Sequence, residues 1–308
     1  MTSLAVDVGF VGQSAVTTLF AGCWDKSVYS WQADNAQSEP LHRFYGGHTD
    51  FVKCVATVQL SEYHLLISGG AEGTIVVWDI ANGSKLSVLK GGHSRGILYL
   101  AIDPEPPSSE DAIGPQATVF SAGSEREIRR WTIAPSHKSE EVHADTPIIH
   151  HETSVNQLLF DADSDLWTAS VDGTVKNLVR SQKWAPDLTL DHGSNVRCVA
   201  VDEHGGHVIT AGRNEDIKVW DRATGRLRHT YAGHYNEVTG LVILPGQLLV
   251  SVGLDGTVRS WSLRGSDLET VREEAGNSSG ENESESAEPG LMTEDEEREL
   301  EELMVDDN

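Results

Sequence analysis

The chain has 308 residues, and its 48 acidic against 23 basic side chains give a net charge of −25. This charge argues against a direct nucleic-acid footprint, because displacing counterions from phosphates requires clustered Lys and Arg. No window holds the apolar run of a membrane helix and the first ten residues lack a secretory pattern, so we predict a cytoplasmic or nuclear protein without membrane contact.

Six similar segments follow one another along the chain. Each has a small residue and Gly closing one strand, a polar tight turn, and an alternating strand such as "GTIVVW". The last residues of these segments are Trp31, Trp78, Trp131, Leu178, Trp220 and Trp261. Their spacings of 47, 53, 47, 42 and 41 residues are typical of a propeller or solenoid repeat.

Two further short strands flank these segments. One lies upstream, as in "VKCVATV" and "VRCVAVD", and one lies downstream, as in "LSVLK" and "DLTLD". A histidine precedes the upstream strand in five copies: His48, His93, His151, His192 and His234. Four strands in a repeat predict one antiparallel sheet for each repeat.

These residues carry a resemblance to a known family. The segments "GGHTDFVKCV", "GGHSRGILYL" and "AGHYNEVTGL", each followed by S/T-x-G, resemble the WD40 repeat of β-propellers, as does the "VWD" that ends two of the six copies. The resemblance covers about residues 1–265 and implies an all-β WD40-type β-propeller with six recognisable repeats. Seven blades are implied if a partner or cryptic strands complete the ring. The chain starts on an inner strand, "SLAVDVGF", so the fourth strand expected for the last blade is "SDLETVRE", after Trp261.

In this family a His, a Ser or Thr, a turn Asp and a Trp form a hydrogen-bonded structural tetrad within a blade. The resemblance implies a complete tetrad in the last copy, formed by His234, Ser251, Asp255 and Trp261. The other copies depart from it at Ala21, Glu72, Glu125, Leu178 and Asn214. We expect those blades to be individually looser, while the shared core of the ring compensates.

Nothing in the sequence indicates catalysis. The patterns GxGxxG, HExxH and the P-loop are absent, and five of the 13 histidines occupy the structural position of the repeat. The adjacent His150 and His151 point to opposite faces of an extended segment and do not favour one metal ion. We therefore predict a non-enzyme with no cofactor, no metal and no catalytic residue.

The resemblance also implies a binding surface, built from residues just before the turn acid and just after the blade histidine. The partner-binding candidates are Trp24, Phe51, Arg95, Arg213, Tyr235 and Leu254. The alternative for Trp24 is packing against its own blade. In addition, "IKVWDR" resembles a box that docks some propellers onto a cullin ubiquitin-ligase adaptor, but Arg222 comes one residue too early.

The composition changes after residue 263. Residues 264–308 hold 17 acidic residues and three arginines, which is −14 of the net charge of −25. We predict a disordered acidic Ser/Glu-rich linker over residues 266–290. A short amphipathic acidic helix is predicted over 291–305, with an apolar stripe of Leu300, Leu303 and Met304. The alternative is a solvated acidic end that aids solubility.

The sequence thus predicts a non-enzymatic scaffold or adaptor that assembles a multiprotein complex through its propeller loops and acidic tail. We expect it to be a subunit of a larger complex and to bind other proteins, basic ones included. Two alternatives stay open. One is an acidic-tailed chaperone or assembly factor for a basic client such as a ribosomal protein or histone. The other is a substrate receptor of a cullin-type ubiquitin ligase, or a non-catalytic subunit of an RNA-modifying or processing enzyme.

Overall fold

The computed structural model describes residues 3–11, 14–33, 40–106, 114–135, 139–142 and 146–268. In this part of the chain 24 strands form six antiparallel sheets, which are the blades of a propeller. The strands of each blade follow one another in chain order from the inside to the outside of the ring. The predicted all-β class and the six-bladed arrangement are confirmed.

The first three blades contain strands β1 to β13. Blade 1 consists of β1 (Ser3–Val11), β2 (Ser14–Gly22), β3 (Val28–Gln32) and β4 (His42–Phe44). Blade 2 consists of β5 (Val52–Leu60), β6 (Tyr63–Gly70), β7 (Ile75–Asp79) and β8 (Lys85–Leu89). Blade 3 consists of β9 (Ile97–Ile102), β10 (Ala117–Gly123), β11 (Glu127–Ile133) and β12 (Glu140–Val142), with β13 (Ile148–Ile149) also paired to β11.

The last three blades contain strands β14 to β24. Blade 4 consists of β14 (Val155–Phe160), β15 (Leu166–Ser170), β16 (Thr174–Val179) and β17 (Ala185–Asp191). Blade 5 consists of β18 (Val196–Asp202), β19 (His207–Gly212), β20 (Ile217–Asp221) and β21 (Leu227–Tyr231). Blade 6 consists of β22 (Val238–Leu244), β23 (Leu248–Gly253) and β24 (Val258–Ser262).

The core lies between the blades, and blades 2 to 5 bury both of their faces. In blade 2, Leu66 and Trp78 lie on the face that packs against Phe20 of blade 1; we call this the front face of a blade. Leu65 and Ile67 lie on the opposite, back face and pack against blade 3. Because both faces of blade 2 are covered, its third strand "IVVWD" is almost continuously apolar and does not alternate as the sequence pattern predicted.

The end of the propeller differs from the sequence prediction. Blade 6 has three strands, and none of the described residues adds a fourth strand to β24. Within the predicted strand "SDLETVRE", residues 266–268 are helical, and the remainder lies outside the described residues. The chain divides into two units, residues 1–264 and 265–308. Most of the predicted linker, and the whole predicted helix with Leu300, Leu303 and Met304, also lie outside the described residues.

Candidate functional site

One end of the propeller, which we call the loop face, carries the predicted contact residues. It consists of the turns between the second and third strands of the blades and the loops that lead into the first strands. In blade 5 the Arg213 N–H donates to the Asn195 carbonyl at 3.0 Å, and in blade 6 the Leu254 N–H donates to the Glu237 carbonyl at 2.8 Å. These backbone hydrogen bonds tie the turn and the loop of one blade together. A side chain on either segment therefore projects from a rigid base.

The tetrad of the last blade supports this end. His234 contacts Asp255 through Nδ1 at 2.8 Å and Ser251 through Nε2 at 2.7 Å. The indole N–H of Trp261 donates to the Ser251 Oγ at 2.9 Å. Although burial opposes it, hydrogen bonds from the backbone N–H groups of Thr257 and Tyr235 lower the pKa of Asp255. The carboxylate thus stays ionised and anchors the loop that carries Tyr235.

Substituted residues make the same type of contact in other blades. Glu72 reaches His48 Nδ1 at 2.7 Å, and Asn214 reaches His192 Nε2 at 2.8 Å. In blade 4, where Leu178 replaces Trp, His151 still contacts Asp172 at 2.9 Å and Thr168 at 2.8 Å. The glutamate side chain of blade 2 and the asparagine amide of blade 5 therefore reach the blade histidine from the turn position that Asp occupies in blades 4 and 6.

Blade 3 holds its histidine less completely. His93 Nε2 lies 2.7 Å from Ser121 Oγ, but His93 Nδ1 lies 3.5 Å from Glu125 and has no hydrogen-bond partner in the described part of the chain. Glu125 instead accepts hydrogen bonds from the N–H and hydroxyl groups of Ser94. In this blade the acid thus holds the loop at Ser94 by hydrogen bonds but does not hydrogen-bond to the imidazole.

Burial sets the protonation of the blade histidines. It lowers the pKa of the imidazole in blades 2 to 5, at His48, His93, His151 and His192. Burial also disfavours the Asp172 carboxylate, but hydrogen bonds from Thr174 and the Glu152 N–H outweigh it and lower the pKa of Asp172 to about 2. Neutral imidazoles beside ionised acids suit a structural role, because each ring nitrogen then has a defined donor or acceptor function.

The structure brings two of the predicted contact residues together. Trp24 is 69% exposed and stacks on Phe51 of the next blade, with ring centroids 4.8 Å apart and an angle of 14° between the planes. Lys53 Nζ lies 5.7 Å from the centre of the Phe51 ring. Trp24 therefore does not fold back onto its own blade, which was the alternative for a tryptophan in a turn.

The other four candidates are also exposed, at separate points of the loop face. Tyr235 is 79% exposed and lies under the guanidinium of Arg259, 5.5 Å from its carbon atom. Leu254 lies on the neighbouring turn of the same blade and is likewise exposed. Arg95 and Arg213 lie on blades 3 and 5, so the six residues form a rim rather than one cluster.

A cavity of about 860 Å³ opens within this rim. Trp24 and Leu254 line it together with the innermost strands of all six blades. The polar residues that line it include Tyr99, Asn156, Gln157 and Arg197, none of which the repeat pattern predicts to be a contact residue. One pattern in the sequence could have indicated them. These polar side chains interrupt the innermost strands of the blades, which are otherwise apolar, as in "VNQLLF".

Two arginines, Arg222 and Arg180, form ion pairs with acidic residues of the propeller. Arg222, in the segment that resembles the cullin-adaptor box, is paired with Asp161 at 2.9 Å and Asp163 at 2.8 Å, and also with Glu203. Arg180 is paired with Asp103 and lies over the Trp184 ring at 4.8 Å. Neither arginine presents an unpaired charge to a partner.

The comparison with known proteins decides the family. The sequence signature described as "WD domain, G-beta repeat" matches residues 38–79, 145–176, 184–221 and 225–262, which fall on blades of the propeller. The chain belongs to the WD40-repeat β-propeller family. This confirms the resemblance on which the sequence analysis relied. WD40 propellers are generally non-catalytic and generally bind other proteins.

Several relatives of this WD40 propeller are longer proteins. A WD repeat-containing protein of Schizosaccharomyces pombe is 33% identical over 252 residues, which are 80% of this chain and 63% of that protein. The nuclear distribution protein nudF of Aspergillus niger is 26% identical over 83% of this chain and 49% of its own length. The chain thus spans less than two thirds of these relatives.

Solved structures show the same fold. The WD40 β-propeller domain of Doa1 matches with a TM-score of 0.63 and 18% identity, over 86% of this chain and 79% of that domain. The computationally designed Ika8 protein matches with a TM-score of 0.59 and 25% identity, over 84% of this chain. In the described part of this WD40 propeller no helix is long and apolar enough to cross a membrane. No cluster of three or more His, Cys, Asp or Glu side chains there is arranged to hold a metal ion.

Proposed function

We propose that this WD40 propeller is a non-catalytic scaffold that binds a partner protein on its loop face, centred on the stacked Trp24 and Phe51. The observation that carries the proposal is the exposure of Trp24. Tryptophan side chains are normally buried in a core or in an interface, whereas 69% of the surface of Trp24 is in water. A cytoplasmic or nuclear location fits its three free cysteines.

The stack is suited to binding because it is already ordered. Trp24 and Phe51 hold each other in one orientation, so a partner that covers them restricts few additional rotamers. Tyr235 and Leu254 extend the apolar contact around the cavity, and Arg95 and Arg213 add charge at the rim. Tyr, Trp and Arg are the residue types that contribute most to protein interfaces.

The test compares partner binding by three variants of the full chain. Trp24→Ala and Leu254→Ala remove contacts from the loop face, and Leu227→Ala removes an exposed leucine from the opposite end of blade 5 as a matched control. Each chain is used in quantitative affinity purification. We expect Trp24→Ala to reduce recovery of the main partners by about tenfold or more, which corresponds to an interface hot spot, and Leu227→Ala to leave it unchanged. Equal recovery with Trp24→Ala and Leu227→Ala would overturn the proposal.

A second role rests on the charge of residues 264–308. This segment carries −14, while residues 1–263 carry −11, so acidic residues are concentrated outside the ring. We propose that it binds a basic client, as a chaperone or assembly factor does. Histones serve as the probe, measured with the full chain and with residues 1–263 at low and high salt. Binding that is lost on truncation and in salt supports this role, and salt-insensitive binding by residues 1–263 contradicts it.

A further inference from the structure

The back face of blade 6 is apolar and exposed. Val242 is 54% and Val258 is 71% exposed, and strand pairing places Leu244, Leu248 and Val252 on the same face, where they are exposed as well. The blade 5 positions that correspond to Val242, Val252 and Val258 are Ala200, Ala211 and Ile217, and all three are buried on the face that blade 6 covers. The same repeat position is therefore covered in one blade and open in the next.

The front face of blade 1 is open in the same way. Leu4 is 62% exposed, and Val6 and Val8 lie on the same side of β1 and are also exposed. The equivalent of Leu4 in blade 2 is Val55, which is buried against blade 1. Leu4 and Val55 both line the central cavity, so exposure to the cavity does not explain the difference.

These two faces border one and the same position in the ring. The back face of each blade from 1 to 5 packs on the front face of the next. The innermost strand of each of these blades likewise contacts the innermost strand of the next, from the pair β1 and β5 through to the pair β18 and β22. The described residues show no such packing between β22 and β1. The six blades thus form an open ring, with an apolar face on each side of the opening.

The tight turns report the same opening. A Cβ atom on Gly73 of blade 2 would lie 2.6 Å from the His93 carbonyl oxygen of blade 3. Gly256 occupies the same turn position in blade 6, and a Cβ atom there would meet none of the described residues within 4 Å. Within the described ranges, no residue takes at blade 6 the place of the neighbour that crowds the turn of blade 2.

We infer that a β-sheet of a partner protein fills this position as a seventh blade. The ring itself indicates the chemistry of the occupant: each neighbouring position is filled by an antiparallel sheet with two apolar faces. Soluble proteins rarely leave contiguous apolar patches of more than a few hundred Å² exposed unless another molecule covers them. β24 also ends blade 6 without a fourth strand among the described residues, so the occupant has a strand edge to approach.

Residues 269–308 of the chain itself do not have this chemistry. Of these 40 residues 16 are acidic, and few are apolar or β-branched. A blade between two apolar faces needs apolar side chains on both of its sides. This inference goes beyond the proposed function, because it concerns the blade faces at the opening and not the stacked aromatic residues of the loop face.

The opening is tested by cysteine labelling of the full chain in a Cys23→Ser background. Leu4→Cys and Val242→Cys report the two open faces, and Val55→Cys and Ala200→Cys are the matched controls at buried equivalents. We expect a bulky maleimide to label the first pair at least about tenfold faster than the second pair. Equal, slow labelling of both pairs would mean a closed ring. Fast labelling of Leu4→Cys and Val242→Cys only after removal of residues 269–308 would identify that segment as the occupant. Either result overturns the inference.

The size and chemistry of the occupant are tested by adding a blade of known sequence. A second copy of residues 194–233, carrying Cys198→Ser, is placed ahead of residue 3 of the full chain. We expect labelling of both Leu4→Cys and Val242→Cys to slow by about tenfold or more, because the copy presents a front face to blade 6 and a back face to blade 1. A control copy with Val208→Lys and Ile209→Lys, one charge on each face, should leave labelling fast. Protection of neither position, or of only one, would overturn the inference.

The partner is tested by photo-crosslinking in cells from positions 4 and 242. We expect both positions to crosslink to one segment of the same protein. That segment, prepared separately, should slow maleimide labelling at both positions of the purified chain. Crosslinks from the two positions to different proteins, to a second copy of this chain, or to a segment that protects neither position contradict a partner blade.

Discussion

The blade histidines show how single residues stabilise this propeller. His151 joins Asp172 to Thr168, and Asp172 in turn accepts hydrogen bonds from Thr174 and from the Glu152 N–H. One carboxylate thus connects the loop, the turn and the strand of blade 4. This connection does not need the tryptophan that Leu178 replaces.

Replacing Asp172 by Asn should therefore destabilise the protein. The amide keeps the shape but loses the charge and one acceptor, so we expect a loss of about 1–3 kcal/mol in the free energy of unfolding. The matched control is Asp187→Asn, the same change at an exposed position in β17 of the same blade. Urea denaturation measures both variants. Equal effects of the two changes would show that the Asp172 contacts are energetically minor.

The same histidines predict how stability depends on pH. Burial lowers the pKa of His48, His93, His151 and His192 in the folded chain, whereas unfolded histidines titrate near about 6.5. The unfolded chain therefore binds more protons between about pH 7 and 5, and stability falls as the pH falls. Asp172, with a pKa of about 2, adds a further loss below about pH 4. Urea midpoints at pH 7.5 and pH 5 check the sign, and a midpoint that rises on acidification contradicts it.

At the scale of the blade, the same turn has different surroundings in different copies. Gly73 and Gly256 have nearly equal φ angles, 79° and 74°, so an added Cβ atom causes similar backbone strain at both. Of these two glycines, only Gly73 faces the backbone of a following blade in the described part of the chain. The two glycines thus separate the local strain of a turn from the packing between blades.

We expect Gly73→Ala to lower the free energy of unfolding by at least about 1 kcal/mol more than Gly256→Ala. The strain at positive φ is common to both variants, and only the first also displaces a neighbouring blade. Thermal or urea unfolding of the two full-length variants measures the difference. If Gly256→Ala is as damaging as Gly73→Ala, the turn of blade 6 is covered and the ring is closed.

At the scale of the whole molecule, the propeller offers two distinct surfaces for contact. The loop face presents Trp24 and Phe51 at the rim of the central cavity, and the opening between blades 6 and 1 presents two apolar sheet faces. The first surface is suited to a loop or helix of a partner, and the second to a sheet. Separate partners can occupy them at the same time, which is the property of a scaffold.

Filling the opening should raise the stability of the whole ring. Two full chains are compared: one has the added copy of residues 194–233, and the other has the same copy with Val208→Lys and Ile209→Lys. We expect the first to unfold at a higher temperature than the second. Burying the two open faces removes apolar surface from water, and each kcal/mol gained corresponds to about 2–4 °C in a domain of this size. Calorimetry measures the shift, and equal melting temperatures would show that the added sheet does not pack in the ring.

The sequence alone determined the features that are local and repeated. The six anchors from Trp31 to Trp261, the tight turns and the short strands occur in register, so the all-β class and the blade count followed from a pattern within short windows. The exposed loop residues followed from the family pattern, because each lies at a fixed offset from a turn or a histidine.

Only the tertiary structure decided what depends on contacts between blades. Trp24 stacks on Phe51 because neighbouring blades approach at the loop face, and Glu72 reaches His48 because its side chain spans a gap that its sequence position does not reveal. Ring closure depends on the small rotation between successive blades, summed over the whole chain. No short window contains that sum. The exposure of Leu4 and Val242 therefore became visible only when the two ends of the propeller were placed in space.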